Sequence, residues 1–222
     1  GDPRTVNYPQ LPALPITVDA NIVQEAISFL SRTGLLIEPR KMWPSGLGLP
    51  IYGVMGRIPT NNQAHEGIAL SIWGDSGWGK VVKRGRYEDQ YFNDQLVDVC
   101  VAMFKKWNPQ PTPTWVTCIP SLRHPDLVPN FALRLAQQLQ LPFHMVLEKT
   151  AHTKEQKSMA NSTQQARNID GSLRLNCPSL PHGPVLLVDD IVNSGWTFTV
   201  AAWLLRSHGG GIVWPIALSK TG

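Results

Sequence analysis

Residues 184–197 read PVLLVDDIVNSGWT, and the order of residue types in that stretch constrains the fold more than any other feature of the chain. The apolar run ending at Val188 is what a buried strand requires. Two neighbouring carboxylates follow, Asp189 and Asp190. Burying charge is costly and like charges repel, so the pair is expected to face something beyond the core. Asn193, Ser194 and Gly195 come next, and TFTVAAWLLRSHGG then reads as a helix ending at Gly209. The first N–H groups of such a helix lack intrahelical partners and carry partial positive charge, a ready cradle for a phosphate. Gly195 lets the backbone approach closely, and Ser194 and Thr197 add hydroxyl donors. The stretch thus offers donors for a phosphate and, just before them, acceptors for hydroxyl groups. A phosphorylated sugar satisfies both. If the aspartates merely capped the helix, one carboxylate and the glycine loop would be left without a role.

The surroundings support a strand-and-helix alternation. NDQLVDVCVAMFKKW places Leu96, Val97, Cys100, Met103, Phe104 and Trp107 on one helical face, and NPQPTPT stops it. WVTCI reads as a buried strand, DLVPNFALRLAQQL as a helix, LPFHMVLEK as a strand, and GIVWPIAL as the last strand. From about residue 93 onward this predicts an α/β fold with a parallel sheet and crossover helices. Trp203 and Trp214 are expected in its core. Ligands of such sheets gather beyond the carboxyl ends of the strands, so the loops after WVTCI, FHMVLEK and VLLV are the candidates.

The preceding half is read differently. The first fifteen residues are proline-rich and predict an arm or linker. ITVDANIVQEAISFLSRTG predicts a helix capped by Asp19 or Asn21, and LLIEPR a short strand. With the basic pair Arg40 and Lys41 they look like the end of a winged-helix module or, equally, a helical lid packed on its neighbour. WPSGLGLP marks a boundary. Residues 51–84 predict a small antiparallel sheet. GDSGWGKV almost spells a nucleotide phosphate loop, but Val81 stands where a hydroxyl would hold magnesium, and the VVKRG that follows looks too β-branched for the required helix, so a plain turn is expected. Lys83, Arg84 and Arg86 are read as a solvated basic face rather than a nucleic-acid contact. The resulting division is 1–45, a linker and winged-helix-like segment; 46–90, a β-rich connecting or hood segment; and 91–222, the α/β domain.

With 222 residues and 42% hydrophobic content the chain can bury a sizeable core. A net charge of +4 suits anionic ligands. Cys100, Cys118 and Cys177 are widely spaced and odd in number, which points away from a disulfide framework or zinc knuckle and toward a reducing cytoplasm. No apolar run is long enough to span a bilayer, and the opening residues lack the pattern of a signal peptide. The six histidines show no metal-ligand pairing and are read as surface or packing residues.

VLLVDDIVNSGWT resembles the phosphoribosyl pyrophosphate (PRPP) signature of type I phosphoribosyltransferases: an apolar strand, two acidic residues, then a small, hydroxyl-rich phosphate loop. The resemblance implies that Asp189 and Asp190 hold the ribose hydroxyls and that Asn193, Ser194, Gly195, Trp196 and Thr197 hold the 5′-phosphate. Trp196 is bulky where the family usually has a small residue, and Asn193 stands where Thr or Ser is frequent. CIPSLRHP resembles the family's pyrophosphate loop, with Ser121, Leu122 and Arg123 at the matching positions. The stretch from Lys149 resembles the mobile lid of ComF-like members in Gln156, Arg167 and Asn168, and Lys149, Lys154 and Lys157 would fold over pyrophosphate. Mg²⁺ is the implied cofactor, carried mainly by the ligand's oxygens with Asp189 or Asp190 reaching it, rather than by a dedicated set of metal ligands.

FLSRTGLLIEPRKMWP, EGIALSIWGDSGWG and the transferase-like half together look like the C-terminal extension of certain bacterial RecQ-family helicases, without their motor. That likeness implies a piece of a longer protein and DNA as a partner through the N-terminal part. Two functions follow as expectations: transfer of phosphoribose to or from a base, or a non-catalytic module that senses nucleotides or grips DNA. A homodimer through an apolar patch is compatible with either.

Overall fold

The computed structural model describes residues 34–150 and 162–222. Its strands are β1 Leu35–Ile37, β2 Gly67–Ile72, β3 Trp115–Cys118, β4 Leu147–Lys149, β5 Leu173–Leu175, β6 Val185–Val192 and β7 Val213–Lys220. Its helices are α1 Trp78–Arg84, α2 Asp94–Trp107, α3 Leu127–Leu139, α4 Ser162–Ile169 and α5 Trp196–Ser207. Five strands form one sheet in the order β1-β2-β7-β6-β3. All neighbours in it are parallel except β1, which runs antiparallel to β2. The chain is therefore an α/β protein with a mostly parallel sheet, as the alternation of elements predicts.

Successive side chains of a strand leave on opposite faces, so a strand covered on both sides must be apolar at every position. β6 meets that demand. Leu186 and Val188 pack with Leu96, Phe104, Phe131 and Leu135 of α2 and α3, whereas Val185 and Leu187 pack with Phe198, Ala201 and Leu205 of α5. α2 begins where the Asn93 side chain accepts a hydrogen bond from the Leu96 amide at 3.1 Å, and it ends at Asn108 in the left-handed conformation. Both signals are local, which is why this helix was legible.

Three expectations are corrected. Residues 51–84 do not form a separate antiparallel sheet: only Gly67–Ile72 is a strand, and it enters the main sheet between β1 and β7. The segment expected over 46–90 thus contributes a strand to the sheet of the α/β domain. IYGVMGRI lies in a turn-rich excursion with isolated bridges between Met42 and Arg57 and between Leu49 and Val54. VVKR is helical, within α1, and Gly85 opens the π-turn that follows, because burial of Val82 and the close approach of Gly79 outweigh β-propensity; a Cβ at Gly79 would collide with the Ile72 carbonyl. LPFHMVLEK, second, is divided. Phe143 bridges Val116 in the main sheet, after which Val146 and Leu147 pack with Ala166, Ile169 and Leu173, and β4 pairs with β5 in a two-stranded antiparallel sheet. Finally, the strand expected to end at Val188 continues to Val192, with Asp189 opposite Ala217 and Ile191 opposite Ser219.

The helix read in ITVDANIVQEAISFLSRTG lies, except for Gly34, outside the described residues; of the rest of the winged-helix-like start, LLI is β1, paired antiparallel with β2, and Arg40 and Lys41 follow it. Among the described residues no helix is long and apolar enough to cross a membrane.

Candidate functional site at the carboxyl end of β6

Because β6 runs through both carboxylates, Asp189 and Asp190 leave the strand on opposite faces. The pair expected to face something beyond the core is thus divided between the two faces of the sheet. Asp190 is 5% exposed and ion-paired with Arg86, which arrives from the π-turn Gly85–Asp89 after α1. Arg86 was read as part of a solvated basic face; it is a largely buried partner instead. Arg84 does keep to the surface, beside Glu88 and Asp89.

Asp189 has a different environment. Its Oδ1 accepts from the Asp190 amide at 2.8 Å. Burial pushes its carboxyl up to about 7, while the positive charges of Arg86 and Lys149 pull the other way. Lys149, at the end of β4, is itself held below the usual lysine range by burial, with Asp189 opposing that effect. One strand end, one buried acid and two cations from distant segments therefore share this corner of the sheet.

The following loop turns on Gly195, which has φ +76° and precedes α5 without any side-chain cap. Only glycine adopts that conformation without strain, and it leaves the first amides of α5 uncapped by any side chain at that position. Asn193 is engaged within the protein, accepting from the Thr221 hydroxyl at 2.9 Å. The Trp196 indole is 2% exposed and stacks on Trp43, with ring centroids 6.5 Å apart. The Arg40 guanidinium lies 4.0 Å from the Trp196 ring centroid, and its Nε donates to the Ser194 carbonyl at 2.8 Å. The bulky residue in the loop is thus a core side chain. Thr197 and Ser194 are partly exposed beside it.

The 121–123 loop follows β3, the sheet neighbour of β6, so the two loops are adjacent. Ser121 Oγ accepts from the His124 amide at 3.3 Å, and Leu122 and Arg123 are exposed. His124 Nδ1 lies 2.7 Å from Gln90 Oε1. Of the lid residues, Lys149 faces Asp189, Arg167 is exposed on α4, and Lys154, Gln156 and Lys157 lie outside the described residues. A groove of about 620 Å³, lined among others by Phe143, His144, Cys177 and Leu180, sits where the chain enters β4 and leaves β5, the opposite end of that pair from Lys149.

In the near-phosphate-loop at Gly74–Val81 the turn Gly74–Gly77 leads into α1 at Trp78, and it carries its own anion: Asp75 Oδ1 accepts from the Gly77 and Gly79 amides at 3.1 and 2.8 Å. The helix expected to be missing is therefore present, but those donors are already matched by a carboxylate. Among the described residues no group of three metal-ligating side chains occurs. A Mg²⁺ ion normally keeps several waters and takes one or two carboxylates plus ligand phosphates, and Asp189 fits that modest donor requirement.

Sequence reasoning missed Arg86, Gln90 and His124 as members of this corner. The available signal was indirect: a buried acid pair demands a cation, and GRYEDQ supplies one beside a glycine.

Residues 130–216 match the family model described as phosphoribosyl transferase domain. No curated protein matches the chain. Among solved structures, adenine phosphoribosyltransferase from Leishmania tarentolae is 16% identical over 57% of this chain and 69% of that one, with a TM-score of 0.37. The Leishmania donovani enzyme is 17% identical, over 57% and 64%, also at 0.37. The adenine phosphoribosyl transferase from Trypanosoma brucei, in complex with AMP, pyrophosphate and ribose-5-phosphate, is 18% identical over 58% and 63%, at 0.38. The part of the chain that carries β6, the Gly195 turn and α5 is therefore the part that matches the phosphoribosyl transferase domain family.

Proposed function

We propose that the chain binds PRPP or a related phosphorylated ribose at the carboxyl end of β6 and transfers its phosphoribosyl group to or from a nitrogenous base. The observation that carries this reading is the left-handed Gly195 turn, placed directly between the strand bearing Asp189 and the N-terminus of α5, inside the segment that matches the family. The amides at the start of α5 would take the 5′-phosphate, with Ser194 and Thr197 beside them. Asp189 would accept from ribose hydroxyls. Ser121 to Arg123, together with Lys149, would meet pyrophosphate, and Lys154, Gln156, Lys157 and Arg167 belong to the proposed lid.

In the transfer, the bond from C1 of the ribose to pyrophosphate breaks with its electron pair leaving on pyrophosphate, and a base nitrogen forms the new bond to C1, its proton, where it carries one, passing to pyrophosphate or water. The chain needs no covalent nucleophile for this. Its contribution is to position the sugar and to balance charge as it separates. Bound Mg²⁺ would supply further neutralisation of pyrophosphate, held by Asp189 and the ligand's own oxygens.

A calorimetric titration with PRPP and Mg²⁺, followed by a pyrophosphate-release assay against a panel of bases, tests the reading. Saturable binding that is lost in Asp189→Asn supports it, and no binding at any ionic strength refutes it. Binding without pyrophosphate release would point to the alternative, a non-catalytic nucleotide-sensing module. The likeness of residues 29–44 and 66–79 to the C-terminal extension of RecQ-family helicases adds a wider proposal, an accessory role beside a DNA motor in the cytoplasm; its support is the quoted sequence alone.

A further inference from the structure

The two acids of β6 are not equivalent, and the difference continues into the neighbouring loop. Asp190 is 5% exposed and committed to Arg86. Arg86 Nη1 donates to Asp190 Oδ2, while the buried Arg86 Nε has no acceptor among the described residues. From Arg86 the connection runs onward. Its carbonyl accepts from Gln90 Nε2 at 2.5 Å, Gln90 Oε1 meets His124 Nδ1 at 2.7 Å, and the His124 amide donates to Ser121 Oγ at 3.3 Å. Tight packing fixes the root of this path: a Cβ at Gly85 would stand 2.8 Å from the Tyr91 carbonyl and 2.9 Å from the Phe92 ring.

Resting on the reading of the site given above, we infer that Asp189 alone is the ligand-facing acid, while Asp190, Arg86 and Gln90 form a strut of positioning residues that ties β6 to the 121–124 loop. The strut holds Asp190 out of the sugar's reach and sets where the pyrophosphate loop stands. Ribose recognition then depends on Asp189, and recognition of the pyrophosphate portion depends in addition on Gln90.

Calorimetry on the full chain with two probes, ribose-5-phosphate and PRPP with Mg²⁺, tests the division. Asp189→Asn should weaken both by about ten-fold or more, the loss expected for a hydrogen bond to a charged acceptor. The paired replacement Arg86→Met with Asp190→Leu removes the buried charges together, a change that cores tolerate, and should keep ribose-5-phosphate affinity within about three-fold of wild type. Should that variant fail to melt cooperatively, Asp190→Asn, which preserves an acceptor for Arg86, provides the same readout. Gln90→Asn keeps a residue suited to the left-handed conformation at φ 51° but is too short to reach His124. It should weaken PRPP about five-fold while leaving ribose-5-phosphate within about two-fold, a split that a general loss of structure would not produce. Equal losses from the Asp189 and Asp190 variants overturn the assignment, as does a Gln90 variant that affects both probes alike or neither. A wild-type protein that binds neither probe overturns the site reading itself, and the assignment falls with it.

Discussion

Replacing Asp189 by Asn should make the protein more stable, and only at the right pH. In the folded chain burial raises this carboxyl from its ordinary 3.8 to about 7, with Arg86 and Lys149 offsetting part of the effect. Between those two values the folded state keeps a proton that the unfolded state has released, so stability falls as pH rises from about 4 to 7 and is level above. At about 1.4 kcal/mol per tenfold change in proton concentration, the full difference is about 4 kcal/mol, an upper figure because water reaches this edge of the sheet. An asparagine of nearly the same shape carries no such penalty. Urea unfolding of both proteins at pH 4, 6 and 8 gives the comparison. The variant should match wild type near pH 4 and exceed it by up to about 4 kcal/mol at pH 8, with unchanged m-values. A constant difference across that range, or a variant less stable at pH 8, refutes the account of Asp189 as a carboxylate held at the expense of folding. A stabilised protein that has also lost ribose-5-phosphate binding would be the pattern of a functional residue retained against stability.

Trp196→Ala removes an indole that is 2% exposed, stacked on Trp43 and covered by Arg40, and should lower stability by about 3–5 kcal/mol in thermal or urea melts. Replacement by Phe should recover most of that loss; a loss below about 1 kcal/mol on going to Ala would show that Trp196 is not the core side chain described. Gly195→Ala places a Cβ in open space but on a backbone at φ +76°, so its effect should be about 1–2 kcal/mol from conformational strain alone. Gly195→Asn, better suited to that conformation, should lose less, and an alanine variant as stable as wild type would contradict the geometry of the turn.

The elements that could be read in the residues are those whose causes are local. Val185 to Val188 form a buried strand because each side chain must satisfy one face of a covered sheet, and α2 runs from Asn93 to Asn108 because its cap residues and its apolar spacing lie within one short window. The Gly195 turn belongs with them, since a single residue type meets its backbone requirement. Tertiary structure alone decided the rest. VVKR becomes helical, and GIALSI leaves the expected small sheet for the main one, because neighbours far along the chain offer better burial than local propensity does. LPFHMVLEK divides between two sheets for the same reason. Arg86 finds Asp190 across 104 positions, and Arg40 finds Ser194 across 154. An ion pair or a stacked guanidinium depends on which segments the topology brings within a few ångströms, and no periodicity within either segment encodes that meeting. Sequence therefore determined that β6 would deliver two acids and a helix N-terminus to one edge of a sheet, while folding determined which of the acids would be taken up by Arg86.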